Sequence, residues 1–126
     1  MLRSAHDCSD GGLAVTLAEC TFDTGGIGAD ISIDGVRVAD DEGINRAAAL
    51  FGESATRVVV SVSPETTADV LNRAKTAGVP ARVIGRTGGS SLRVAVDGRI
   101  AIDAAVSEAE RIWSGAIEHY FAKRVA

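Results

Sequence analysis

Aromatic residues are scarce: three phenylalanines, one tryptophan and one tyrosine in 126 residues. A core poor in rings must be filled by smaller side chains. Alanine, valine, isoleucine and glycine dominate here, which fits thin α/β layers in close contact. Cysteine is limited to Cys8 and Cys20, whose spacing matches neither a zinc nor a redox motif. A reduced, cytoplasmic setting is the simplest reading, with a Cys8–Cys20 disulfide as its alternative. An excess of basic charge is also lacking. The formal net charge is -4, which argues against nucleic acid as a partner, because phosphate backbones require a basic face. No apolar run is long enough to cross a bilayer, and no charged-then-apolar signal segment opens the chain, so no membrane partner is expected. The length fits one domain with a modest core.

What is present is concentrated near the start. Ser4-Ala5-His6-Asp7-Cys8-Ser9-Asp10-Gly11-Gly12 packs an imidazole, two carboxylates, hydroxyls, a thiol and a glycine pair into nine residues. It runs into an apolar, helix-forming segment, Leu13 to Cys20. Acidic side chains followed by glycine and a helix start suit a metal ion and a phosphate. Carboxylates can hold Mg²⁺, and unpaired backbone N–H groups at a helix N-terminus can face an anion. The same residues also suit a plain helix start, with Asp10 or Ser9 as the N-cap and Gly11-Gly12 as a tight entry turn. The two readings are compatible, because a capped N-terminus is where phosphates bind.

Leu13 to Phe22 has helical spacing, with Leu13, Leu17 and Cys20 on one face, widened by Ala14, Ala18 and Thr21. Thr24-Gly25-Gly26 is expected to end it. Gly28 to Ile33 alternates as a half-buried strand, and Asp34-Gly35 marks a turn. Val36 to Asp41 reads as a short extended piece or a loop. Asp40-Asp41-Glu42 is a metal-ligand cluster on one reading and a solvated helix start on the other. Ile44 to Phe51 then forms a helix with Ile44, Ala47, Ala48 and Phe51 on one side. Val58-Val59-Val60, apolar at consecutive positions, predicts a central strand buried on both faces. Ser63-Pro64 opens a helix that runs to Ala77, where Gly78 stops it. Ala81 to Ile84 is expected as a strand and Gly85 to Gly89 as a turn. That glycine-rich turn lacks the Lys-Ser/Thr of a P-loop. Ser91 to Val96 and Arg99 to Asp103 form a hairpin about a type I′ Asp97-Gly98 turn. Last, Val106 to Lys123 is an amphipathic helix. Its stripe of Ala109, Ile112, Trp113, Ala116, Ile117, Tyr120 and Phe121 reads as core. The order gives an α+β fold: a two-layer mixed sheet of four to five strands with helices packed on one face.

The opening stretch, through Leu13-Ala14-Val15 and Leu17-Ala18-Glu19, closely resembles a signature of the phosphoribosylformylglycinamidine synthase family. Leu50-Phe51-Gly52-Glu53-Ser54, followed by Arg57 to Val62, is similar to a second stretch of that family, and Val83-Ile84-Gly85 to a third. The resemblance covers almost the whole chain and lies in the C-terminal subdomain of the second synthase half. It implies the fold of the aminoimidazole ribonucleotide (AIR) synthetase C-terminal domain over residues 1–126, truncated at its N-terminus so that the subdomain's first strand and helix are missing. It also implies the family's reaction, a carbon–nitrogen ligation. Formylglycinamide ribonucleotide, ATP and ammonia from glutamine become the amidine, ADP and phosphate, through an iminophosphate that ammonia displaces. Asp7 stands where the long form of the family binds Mg²⁺ at an auxiliary nucleotide site. Ser9 stands where that form contacts the nucleotide, with Gly11 and Gly12 beside it. His6, Asp10, Glu53 and Ser54 are secondary candidates, His6 as support for Asp7. The family's catalytic histidine and ATP-binding lysine have no counterparts, so no catalytic residue is expected and the chain alone should be inactive. The implied cofactors are ATP or ADP and Mg²⁺. The implied partners are the N-terminal part of the synthase, a glutaminase subunit and a small accessory subunit.

Two other readings compete. One is a fragment of another AIR synthetase-superfamily enzyme, against which the Leu50-to-Ser54 stretch speaks. The other is a free-standing nucleotide-binding or interaction module that kept the fold and lost catalysis. A missing first strand would leave an unpaired sheet edge, so self-association is expected of an isolated form.

Overall fold

A computed structural model describes residues 2–36, 42–53 and 55–125, with the side chains of residues 42–44 and 125 outside that set. The chain divides into two compact units, Met1–Leu17 with Val36–Ile84 and Ala18–Gly35 with Gly85–Ala126. The α+β class is as the sequence predicts. No helix among the described residues is long and apolar enough to cross a membrane.

In the first unit, β1 (Leu2–Asp7) pairs antiparallel with β3 (Val58–Val62), placing Ala5 opposite Val60 and Asp7 opposite Val58. The Ser4 and Ser61 hydroxyls bond across the pair at 2.6 Å. The valine run does form a strand, because β-branched side chains favour extended backbone. It is not a central strand, however. β1 and β3 make a two-stranded sheet, and Val58 and Val60 are exposed. Consecutive apolar residues fix strand propensity, whereas burial on both faces needs cover from two sides.

The helix α1 (Gly12–Thr21) buries Ala14, Thr16, Leu17 and Thr21. It ends one residue before Phe22, and the left-handed residue that follows is Asp23 at φ 57°, ahead of Gly25 and Gly26. α2 (Glu42–Phe51) turns Ala49 and Leu50 inward, while Ala47 and Phe51 are exposed, so its inward side is rotated from the expected one. Asp40, Asp41 and Ser54 lie outside the described residues, and Glu42 is described in its backbone only. The Ser63-Pro64 start first makes a 3₁₀ turn (Pro64–Thr66) and then α3 (Thr67–Thr76). α3 closes with Gly78 at φ 70° and the bonds Gly78 N–H to Lys75 O and Val79 N–H to Ala74 O, the glycine stop that was expected.

In the second unit a four-stranded mixed sheet has the order β4-β2-β5-β6. Its strands are β2 (Ala29–Ile33), β4 (Gly85–Thr87), β5 (Ser91–Val96) and β6 (Arg99–Ala105). β2 runs parallel to β5 and antiparallel to β4, and β5 pairs antiparallel with β6. Alternation puts Ala29, Ile31 and Ile33 with Leu92, Val94 and Val96 on one buried face. Asp97 (φ 50°) and Gly98 (φ 79°) form the expected hairpin turn. The Asp97 carboxylate also accepts the Gly35 N–H at 3.0 Å.

Two expectations fail in this region. Ala81 to Ile84 is not a strand; the strand is the next segment, Gly85–Thr87. It is a short, wholly exposed edge strand, so it has no apolar alternation to reveal it. α4 (Val106–Val125) starts on a fully buried Val106 whose N–H bonds Ser90 O. Its aromatic stripe, read as core, is exposed instead: Trp113, Ile117, Tyr120 and Phe121 are all more than half accessible. Helical spacing identifies one face of a helix, and it does not identify what covers that face.

Candidate functional site

The site is the turn from β1 into α1. β1 delivers Asp7, and the Cys8 N–H bonds Arg57 O at 3.0 Å, holding the strand end against the segment before β3. The Asp7 carboxylate then folds the chain back on itself. Oδ1 accepts the Ser9 N–H at 3.0 Å and Oδ2 accepts the Ser9 hydroxyl at 2.7 Å. The Asp7 carbonyl is held twice, by the His6 ring through Nδ1 at 2.8 Å and by the buried Thr16 hydroxyl at 3.1 Å. Thr16 lies one turn inside α1, so this bond ties the strand end to the helix it precedes.

Gly11 and Gly12 then adopt φ 83° and 79°, the left-handed region that side chains disfavour. Space makes the same demand. A Cβ on Gly12 would lie 2.7–2.9 Å from the Phe51 backbone, and one on Gly11 would press on Val15. Gly12 is therefore required by conformation and by the close approach of α2, and Gly11 by conformation and by Val15. The glycine pair also brings in Glu53, whose Oε1 accepts the Gly11 N–H at 3.1 Å across 42 positions of sequence. Gly11 thus gives its N–H to a carboxylate from the Leu50-to-Glu53 stretch. The two sequence stretches singled out separately meet at this bond.

Of the sequence-predicted residues, Asp7, Ser9, Gly11, Gly12 and Glu53 come together, and His6 supports Asp7 through the main chain. Asp10 is exposed and its carboxylate does not join these bonds, and Ser54 lies outside the described residues. The capping duty expected of Asp10 or Ser9 is met at Gly11 by Glu53. Sequence reasoning missed Thr16 and Arg57. The Arg57 guanidinium donates to Gly52 O at 2.6 Å, while its Nε is buried with no partner among the described residues. Thr16 carried a signal, a hydroxyl on the inner side of an apolar helix, which needs a partner when buried. Both cysteines are free thiols. No group of three metal-ligating side chains occurs among the described residues.

The turn presents an exposed carboxylate, Asp7, beside the start of α1. The fold and this turn define an α+β domain with a glycine-gated, carboxylate-bearing strand-to-helix turn. Residues 1–97 match the profile of the family "AIR synthase related protein, C-terminal domain", and the chain belongs to that family. Among its relatives is the phosphoribosylformylglycinamidine synthase subunit PurL of Moorella thermoacetica, 39% identical over 117 residues, or 93% of this chain and 15% of the relative. The PurL of Thermobifida fusca is 45% identical over 106 residues, 83% of this chain and 12% of the relative. The chain therefore spans about one-seventh of the length of these relatives. Among solved structures, T. maritima PurL complexed with ATP superposes with a TM-score of 0.71 at 21% identity, covering 87% of this chain and 19% of that one. The same enzyme complexed with ADP gives 0.67 at 24% identity, again over 87% of this chain and 19% of the other. These likenesses establish the fold.

Proposed function

We propose that this chain is the C-terminal part of the ATP-dependent synthase that converts formylglycinamide ribonucleotide to formylglycinamidine ribonucleotide, a carbon–nitrogen ligase of purine biosynthesis. One observation carries the reading. The family match spans residues 1–97 and so contains every member of the Asp7–Ser9–Gly11–Glu53 turn. Similarity to PurL over more than nine-tenths of the chain supports the particular reaction. The chain on its own is not catalytic. The rest of the synthase, a glutaminase subunit and a small accessory subunit complete the enzyme in the cytoplasm.

In this reading the turn is a nucleotide site. The donor set fits Mg²⁺: Asp7 is exposed, and each of its oxygens accepts one hydrogen bond from Ser9 and keeps a second lone pair. Mg²⁺ is commonly held by one or two carboxylates together with phosphates and water, and so needs no larger cluster. When bound there it would neutralise phosphate charge. Ser9 orients the Asp7 carboxylate, and the N–H groups at the start of α1 face the phosphate. Glu53 takes the place of an anion on the Gly11 N–H, so an arriving phosphate displaces its Oε1. His6 and Thr16 hold the Asp7 main chain while that exchange occurs.

The test is calorimetric titration of the chain with ADP and ATP, with and without Mg²⁺, beside Asp7→Asn. Binding that requires Mg²⁺ and is lost in Asp7→Asn is the expected result. Binding indifferent to Mg²⁺ and to the substitution, or binding absent from both the chain and the full-length synthase, overturns the nucleotide role and leaves a helix start alone.

A further inference from the structure

The surface of α4 is self-complementary about one residue. With Ile117 as the centre, Trp113 and Phe121 stand four positions to either side, and Glu110 and Arg124 stand seven to either side. At 3.6 residues per turn, offsets of four and seven return to one face. Ile117 is 75% exposed and Trp113 57%. Tyr120 and Phe121, more than half exposed, complete the seam. The family match ends at residue 97, so α4 lies outside it.

We propose that two copies of this chain pair through α4, antiparallel, about a two-fold axis at Ile117. In that arrangement Ile117 meets its own equivalent, Trp113 meets Phe121, and Glu110 meets Arg124 at both ends. An isologous two-fold interface demands this kind of self-complementarity. Charge selects the direction. Parallel pairing would set Glu110 against Glu110 and Arg124 against Arg124, whereas the antiparallel pair matches opposite signs twice.

The side chains are also held in place before pairing. Trp113 rests against Phe22 with ring centroids 5.2 Å apart, and the Arg124 guanidinium lies 5.2 Å from the Tyr120 ring centroid. Glu110 Oε1 accepts the Asp23 N–H at 2.9 Å, fixing its carboxylate on the seam. Little side-chain freedom is then left to lose on association. Tryptophan, tyrosine and arginine are the residue types that dominate interface energies.

The area is that of a small, weak interface. Four large side chains, each more than half exposed, offer about 100 Å² apiece. Two copies then bury roughly 800 Å², and the flanking Glu110, Ser114 and Arg124 bring the total near the ~1,000 Å² that a specific interface requires.

Sedimentation of the 126-residue chain from low micromolar to near-millimolar concentration tests this. A concentration-dependent monomer–dimer equilibrium is expected, and Ile117→Glu, which sets two carboxylates face to face on the axis, should abolish it. Because Ile117 is exposed, that variant should keep its far-ultraviolet circular dichroism. A second set of variants stands independent of it. Glu110→Arg and Arg124→Glu should each weaken the dimer roughly three- to tenfold, and the double variant should recover it, because the swap restores both opposite-sign pairs. A monomer at every concentration overturns the proposal. So does a dimer insensitive to Ile117→Glu, which would place the contact on another surface such as a sheet edge. So does a monomer whose α4 is protected only when it is part of a longer polypeptide.

Discussion

At the residue scale the turn is specified by a few side chains that cannot be exchanged freely. The Asp7 carboxylate is oriented by its own neighbour Ser9, Thr16 anchors the Asp7 carbonyl, and Glu53 occupies the Gly11 N–H. This local bonding explains why the opening stretch reads as a cap as well as a ligand site, since both use the same groups. Gly12 is the most constrained position, because conformation and space exclude a side chain there together. Gly12→Ala should destabilise the chain by about 1–3 kcal/mol from left-handed strain alone, and by more once the Phe51 backbone must move. Urea unfolding measures it, and a cost within error of zero would show that the turn adopts another path. The pairing of Gly11 with Glu53 was legible only in part. Both stretches stand out in the sequence, but nothing in their spacing says that the carboxylate of one seats on the N–H of the other.

At the element scale, the strands with clean alternation were legible and those without it were not. Ala29–Ile33 and Ser91–Val96 each bury one face and leave the other partly or wholly exposed, so period two survives in the sequence. Asp97-Gly98 gave the hairpin between β5 and β6 because its two positive φ angles need that residue pair. Gly85–Thr87 has no buried residue, and its pairing with β2 rests on backbone hydrogen bonds, to which sequence patterns are blind. The same physics separates the two apolar positions Leu92 and Ile100. Leu92→Ala removes a buried side chain from the closed face of β5 and should cost about 3 kcal/mol. Ile100→Ala alters an exposed side chain on β6 and should stay within about 0.5 kcal/mol. Equilibrium denaturation of the two variants side by side checks the assignment. Equal costs would mean that the exposed face of β6 is covered in solution.

At the scale of the whole molecule, the family came from motif order and the fold class from element order. What the sequence could not supply was the fate of its apolar faces. Val58, Val60 and the α4 stripe carry the composition of a core, yet they are exposed. Burial is a property of the assembled surface, and a chain spanning about 15% of its relatives' length need not contain the atoms that cover each of its faces. The same proportion bears on catalysis. The described residues offer one carboxylate–hydroxyl–glycine turn and no group of three metal-ligating side chains, whereas a phosphoryl-transfer site needs several groups placed around both phosphate and acceptor. Supplied with formylglycinamide ribonucleotide, ATP, Mg²⁺ and ammonia, the chain should release no ADP above the protein-free background, while a full-length PurL under the same conditions does. Adding the chain to that full-length enzyme should leave its rate unchanged, because the enzyme's own matching region already fills the place. ADP release by the chain alone that scales with its concentration and disappears in Asp7→Asn would contradict this, and would make the opening turn a catalytic site in its own right.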